Sequence, residues 1–337
     1  MLVSALLGAA DLNPLATVTA LADRIPFVHL PSRLSSLDRA VLFQIRLPRI
    51  VLGAMVGGLL SVAGAGYQGV FRNPLVDSGM LGASAGAGLG ATIAIAYLGS
   101  LGTAAVPVAA FAGSLAGVAV AYLSGALGRP GRPGRPGRSS GPGGSGSGTA
   151  TLLLAGVAVS MFLTAMQTYV QQRATADLQQ VYSWLLGSLS GATWQDALEI
   201  LPYSAVSVAI VLLHGRQLDV LSVGDEEART LGIHPGRTRL IVVAACALAA
   251  ASAVAVSGLI GFVGIVVPHI VRRLAGTTSY RVVLPLSLLA GAGFLVLADT
   301  LARTVLSPAE LPIGVVTALV GSPVFVWVLR STRAIRT

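Results

Sequence analysis

The sequence predicts an all-α membrane bundle, and three observations carry the prediction. Of its 337 residues, 54% are hydrophobic and only 10% are charged. The apolar residues gather in runs of about 20, the length a helix rising 1.5 Å per residue needs to cross a hydrocarbon core of about 30 Å. The alternating ten-residue pattern of an outer-membrane barrel is missing, so helices are the spanning element. The runs recur along nearly the whole chain, which predicts one transmembrane domain over residues 1–337 with no separate globular module.

Taken in order, residues 1–10 are apolar but cover only about 15 Å as a helix and cannot span alone. The first span covers 47–71, where no charged side chain occurs between Arg49 and Arg72. Arg72, Asn73, Pro74 and Asp77 then sit at a membrane surface, because arginine and aspartate each cost roughly 2.5 to 3.5 kcal/mol at a helix centre. Further spans fall at 80–99, 103–127, 149–171, 197–214, 238–257, 258–274, 281–305 and 311–330. The stretch 258–274 is short, holds Pro268 and follows its neighbour directly, which predicts a broken or half-length helix.

Arginine placement sets the orientation. All 22 basic residues are arginine, and 15 of them fall on one side: Arg72, Arg129, Arg132, Arg135, Arg138, Arg216, Arg229, Arg237, Arg239, Arg272, Arg273, Arg281, Arg330, Arg333 and Arg336. The positive-inside rule assigns that side to the cytoplasm, together with the 72–79 turn, the 128–148 loop, the 215–237 loop and the C-terminus. The net charge of +9 then reflects topology and attraction to membrane lipid rather than nucleic-acid binding. With no lysine, the chain cannot form a Walker A site, so any ATP-driven transport needs a separate ATPase subunit.

Small residues recur at four-residue spacing: Gly53 and Gly57; Gly82, Gly86 and Gly90; Gly113, Gly117, Ala121 and Gly125. They read as smooth stripes where helix backbones approach closely. Residues 128–148 repeat an Arg/Gly/Pro unit and turn into a Gly/Ser linker with no apolar residue to bury, which predicts a flexible cytoplasmic insertion. Residues 218–237 carry Leu218, Leu221, Ala228, Leu231 and Ile233 among charges, and Gly224 before Asp225, Glu226 and Glu227 reads as a helix start. This predicts a short amphipathic helix on the cytoplasmic face. Its acidic cluster would be repelled by an anionic leaflet, which favours a protein partner over lipid.

Few residues offer chemistry. The single cysteine, Cys246, lies in an apolar run and reads as a packing residue; it excludes intramolecular disulfides. Asp299 is the only acid deep in an apolar run, with Arg303 at i+4, so its readings are a local ion pair or a proton relay. His269 reads as a structural hydrogen bond or a haem ligand, and His29, His214 and His234 lack metal-ligand spacing. No HExxH motif or other convergent catalytic set occurs, which excludes the common intramembrane enzymes and assigns neither cofactor nor metal. A proton-coupled secondary transporter, the rival transporter class, would show several buried acids or histidines on facing helices.

RLPR at 46–49 with AGAGYQGVFRNPLVDSGMLGASAGA, WLLGSLSGATW at 184–194, VLSVGDEEARTLGI, GFVGIVVPHIVRR at 261–273, and LADTLARTVLSPAELPIGVVTALVGSPVFVWVL at 297–329 resemble the FecCD-type permeases of type II ABC importers. Those proteins take up iron siderophores, haem and cobalamin, and the resemblance runs from about residue 34 to 332 in the right order. It implies an inverted-repeat, ten-helix subunit in the bacterial inner membrane, working as a homodimer with two cytoplasmic ABC ATPase subunits and an extracytoplasmic substrate-binding protein. Ferric siderophore is the implied cargo, with haem and cobalamin as alternatives. The first helix of those permeases is full length, so a truncated first helix is expected here. By the same resemblance Arg46, Arg49 and Arg303 dock the binding protein. Asn73, Leu75 and Thr149 match the cytoplasmic gate, with Ala150 replacing a small polar residue beside the last. Residues 218–233, notably Leu221, Gly224, Asp225, Glu226, Glu227, Ala228, Leu231 and Gly232, match the coupling helices that contact the ATPase.

Overall fold

A computed structural model of the chain describes residues 4, 6, 13–23, 34–102, 104–127, 147–307 and 309–333. All regular structure among them is helical: α1 (Pro14–Ala22), α2 (Ser36–Phe71), α3 (Ala83–Tyr97), α4 (Ala105–Leu127), α5 (Ser147–Arg173), α6 (Leu178–Leu185), α7 (Trp194–Leu213), α8 (Gly215–Val223), α9 (Asp225–Thr230), α10 (Pro235–Ser257), α11 (Val263–Ala275), α12 (Tyr280–Thr304) and α13 (Ile313–Arg333). Every span read from the sequence has its helix. Within α2, α4, α5, α7, α10 and α12 lie stretches long and apolar enough to cross a membrane, and Ala83–Tyr97 and Ile313–Val326 are shorter apolar segments. Most of the predicted insertion, 128–146, lies outside the described residues, as do most of residues 1–10.

The helix expected to begin near residue 47 begins at Ser36 instead. Pro48 has no N–H to donate and its ring crowds the carbonyl of the preceding turn. The chain answers with a π segment, Val41–Arg46, in which the Leu47 N–H reaches back to the Leu42 carbonyl. Below it α2 is the central post of the bundle: 83% of its most apolar window is buried, against 17% for α5.

Glycine explains how so many helices reach that post. A methyl on Gly57 would overlap the Gly291 carbonyl of α12, one on Gly64 would overlap Gly264 of α11, and one on Gly66 would lie 2.5 Å from Cys246 Sγ of α10. The expected stripes on α3 and α4 face each other, pairing Gly82 with Gly117, Gly86 with Gly113 and Gly90 with Ala109. Close backbone approach supplies dispersion contact where lipid leaves no hydrophobic driving force between helices.

Residues 258–274 form the short helix anticipated, but it begins only at Val263. The chain from Gly258 to Phe262 is not helical, and Phe262 adopts a left-handed φ of 69° that a bulky residue rarely takes. α11 is therefore about 20 Å long, a half-length element.

Candidate transport and coupling sites

Charged clusters occupy the two ends of the bundle. At the end where α2 begins and α12 finishes, the structure brings together Arg46, Arg49 and Arg303, far apart in sequence. Arg49 Nε donates to Asp299 Oδ1 at 2.9 Å, and its Nη1 and Nη2 donate to the two carboxylate oxygens of Glu310 at 2.9 and 3.0 Å. Arg303 Nε stands 3.4 Å from Asp299, and its Nη2 donates to the carbonyl and hydroxyl of Ser4 at 2.6 and 2.7 Å. Arg46 Nη1 donates to the Leu6 carbonyl at 3.2 Å. Asp299 thus forms the local pair with Arg303 anticipated from i+4 spacing, yet its closer partner is Arg49 at 2.8 Å, a contact across 250 residues that spacing could not reveal.

All three arginines are buried, at 4%, 8% and 7% exposure. That rules out lipid headgroup snorkelling and leaves the Glu310 side chain, 40% exposed, as the surface member of the cluster. Glu310 was missed in the sequence because nothing in an acid on a short loop distinguishes it from a solvated charge.

At the opposite end α2 stops at Arg72, which takes a left-handed φ of 49° and turns the chain into Asn73–Leu75. Asn73 Oδ1 accepts the Leu75 N–H at 3.0 Å, and the Leu75 side chain is exposed. One turn earlier Gln68, fully buried, donates to the Gly264 carbonyl of α11 at 3.0 Å and accepts from Arg272 at 2.7 Å. The turn that follows α2 is therefore tied to the half-length helix. Thr149 falls in the first turn of α5, and its side chain lies outside the described residues.

The one short amphipathic helix read from residues 218–237 is two helices, α8 and α9, broken at Gly224 in extended backbone, in keeping with the plural coupling helices implied for 218–233. Leu218, Leu221 and Ala228 are buried at 0–1% and hold the pair against the bundle, whereas Glu226, Glu227 and Leu231 point outward. Gly232, at φ 76°, stops α9: its N–H bonds to the Arg229 carbonyl and the Ile233 N–H to that of Ala228, a closure that needs the left-handed conformation glycine adopts without strain. Of the predicted coupling residues, Leu221 and Ala228 thus face inward and Glu226, Glu227 and Leu231 outward.

Asp225 belongs to neither set. Arg239 of α10 donates Nη1 and Nη2 to its two oxygens at 2.8 and 2.6 Å, Arg72 Nη2 donates to the same carboxylate, and Arg72 Nε donates to the Leu221 carbonyl at 2.6 Å. Burial pushes the Asp225 carboxyl up, but the guanidiniums of Arg239 and Arg72 outweigh it and hold the group below the usual carboxylate range. Asp219 accepts from Ser279 Oγ at 2.8 Å and from the Tyr280 N–H at 2.5 Å, where α12 begins.

Beside the turn that follows α2 an open groove of about 870 Å³ is lined by Asp77, Met80, Ser84, Ser160, Met161 and Thr164, among others. Its long wall is α5, on which Ser160, Thr164, Gln167, Thr168 and Gln171 recur at three- and four-residue spacing. This stripe was overlooked in the sequence, although a polar residue every turn through an otherwise apolar span was the signal available. Asp77 is the acid of this lining, and burial pushes its carboxyl up despite hydrogen bonds from the Ser78 N–H and hydroxyl.

The structure shows a helical bundle with apolar spans, a largely apolar groove along α5 and a charged cluster at each end. The chain belongs to the FecCD transport family, which it matches over residues 1–137 and 138–331, and so to the transport subunits of ABC importers rather than to enzymes. It is 40% identical over 292 residues to the cobalamin import system permease protein BtuC of Halobacterium salinarum, covering 87% of this chain and 74% of that one. It is 36% identical over 302 residues to the Fe(3+)-citrate import system permease protein YfmD of Bacillus subtilis, covering 89% and 84%. Among solved structures, one described as a metal-chelate type ABC transporter in an inward-facing conformation superimposes with a TM-score of 0.76 at 28% identity, covering 94% of this chain and 96% of that one.

Proposed function

We propose that the chain, as a homodimer, forms the path through which a binding-protein-dependent ABC importer moves a ferric siderophore or related metal chelate across the inner membrane. The observation that carries this reading is the hydroxyl and amide stripe on α5. A helix facing lipid presents leucine, valine and phenylalanine. A stripe of serine, threonine and glutamine on the least buried of the long helices needs water, a substrate or a second copy against it. Neutral donors and acceptors beside thioethers suit a bulky chelate whose metal is already satisfied by its own ligands, since they hold it weakly enough to let it leave. Relatives named for an iron chelate and for cobalamin support the class, and the latter name keeps cobalamin as the second reading.

In this reading two cytoplasmic ATPase subunits seat against the outward residues of α8 and α9, and nucleotide shifts the dimer between outward and inward openings at the Asn73–Leu75 turn. The binding protein docks at the Arg46, Arg49 and Arg303 end, where its carboxylates compete with Glu310 for Arg49. The test is reconstitution with the cognate ATPase and binding protein in proteoliposomes. Vanadate-sensitive uptake of an iron-55 siderophore is expected. Uptake of cyanocobalamin alone transfers the assignment to the second reading, and uptake driven by a proton gradient without ATP overturns the importer.

A further inference from the structure

We infer that Asp225 is a positioning residue of the transport cycle, the clamp through which the α8–α9 pair moves the turn at the end of α2, and that it is not itself an ATPase contact. This rests on the proposal that the outward face of α8 and α9 meets the ATPase. Sequence alone places Asp225 with Glu226 and Glu227 as one acidic cluster on a helix start, but the structure separates them. Glu226 and Glu227 are exposed, whereas Asp225 is half-buried and turned inward between two guanidiniums.

The geometry gives the clamp two fixed ends. Arg239 lies in the first turns of α10, is 7% exposed, and meets both oxygens of the carboxylate in the fork arrangement that makes such pairs directional. Arg72 is the last residue before Asn73, so any displacement of the Asp225 carboxylate pulls on the backbone that begins the turn. Arg72 also donates to Leu221 across the Gly224 break, so it holds α8 and α9 together as one body. The inward leucines of α8 fix the pair to the bundle without direction, while the charged contacts set which way a push at Glu226 or Leu231 travels. Gly224 supplies the joint: its extended backbone lets the two short helices meet at an angle.

The experiment uses the complete reconstituted importer. A single reporter thiol replaces Leu75, whose side chain is exposed; the one native cysteine, Cys246, is fully buried and silent. The rate at which Leu75→Cys reacts with a polar maleimide is compared between nucleotide-free and vanadate-trapped states. In the parent the rate should change on trapping. Asp225→Asn, which keeps the shape but removes the charge, should abolish that change and lower substrate moved per ATP hydrolysed by about tenfold, the scale of one lost charge-assisted hydrogen bond. ATPase retention on purification should stay at parental levels, and Asp225→Glu should restore part of the response. A mere stability role would lower yield and leave the trapped-state change intact. If Asp225→Asn keeps the parental labelling change, the clamp is wrong. Leu231→Asp separates the two ideas: it should release the ATPase, and if neither it nor Val223→Asp does so, the segment is not the contact and the clamp fails with it.

Discussion

Gly86 offers the sharpest test of how this bundle is held. A methyl added there would overlap the Gly113 carbonyl oxygen and lie 2.8 Å from its carbonyl carbon, where carbon atoms ordinarily rest about 3.5 to 4.0 Å apart. The reciprocal methyl on Gly113 would lie 3.0 Å from the Gly86 carbonyl carbon, so both sides of the contact are backbone and neither can swing away. Relief requires α3 and α4 to separate by roughly 0.7 to 1.2 Å, a gap that forfeits a quarter to a half of each contact along the seam. Because Gly82–Gly117 and Gly90–Ala109 flank the site, the loss spreads to both neighbouring turns. Overpacking costs about 1–3 kcal/mol, and this geometry argues for about 2–3. In detergent Gly86→Ala should melt roughly 4–9 °C below the parent, at about 2–3 °C per kcal/mol. Gly99→Ala, which meets nothing within 4 Å, is the control and should be unchanged. Gly86→Ala and Gly113→Ala combined should cost much less than their sum, since one separation relieves both. Equal melting of Gly86→Ala and Gly99→Ala would refute the close-approach argument.

Three further outcomes follow from the charged ends and the loop. Arg49→Ala leaves the buried Asp299 carboxylate with only its more distant partner, Arg303 at 3.4 Å, and should cost about 3–5 kcal/mol by chemical denaturation, whereas Arg303→Ala, which removes that more distant partner, should cost less. Asp225 has a depressed carboxyl, so the stability it contributes is present above the unfolded value near 3.8 and is lost only as pH falls through its lower folded value; ATPase coupling should therefore be flat from pH 5 to 8 as far as this group is concerned, and a loss near pH 6 that Asp225→Asn abolishes would contradict the sign. A protease site placed within 128–148 should be cut in inside-out vesicles and spared in intact cells, and the opposite pattern would reverse the assigned orientation.

The spans were legible because hydrocarbon thickness imposes one length on every helix, and glycine stripes were legible because helical period puts i and i+4 on one face. Their partners were not: nothing local says that the stripe on α3 meets α4, or that Gly57 meets Gly291. The π segment before Pro48 escaped for a related reason, since proline announces that a hydrogen bond is missing but not how the preceding turn will absorb it. Among site residues, the three arginines were expected to converge and do, yet their burial and the part played by Glu310 depend on a loop and an N-terminal segment that only the folded chain brings near. The differing exposure of the acids at 225–227 was not legible, because three adjacent carboxylates on one helical turn look alike in sequence while a helix points them in different directions.

The placement of charge connects these results. Among the described residues the ion pairs between elements sit at the two ends, and three of them tie a terminus of α2 to another element, Arg49 to Asp299 of α12 and to Glu310 and Arg72 to Asp225 of α9, while Arg239 of α10 joins the last of these from the other side. Along the middle of α2 the contacts are uncharged, with Gly57 and Gly64 against backbone and other positions packed as apolar core. If α2 moves as one piece, a change of partner at one end would be felt at the other without any charged group having to cross the membrane. If the proposed binding protein and ATPase act on opposite faces, this arrangement puts the link between them at the two ends of α2.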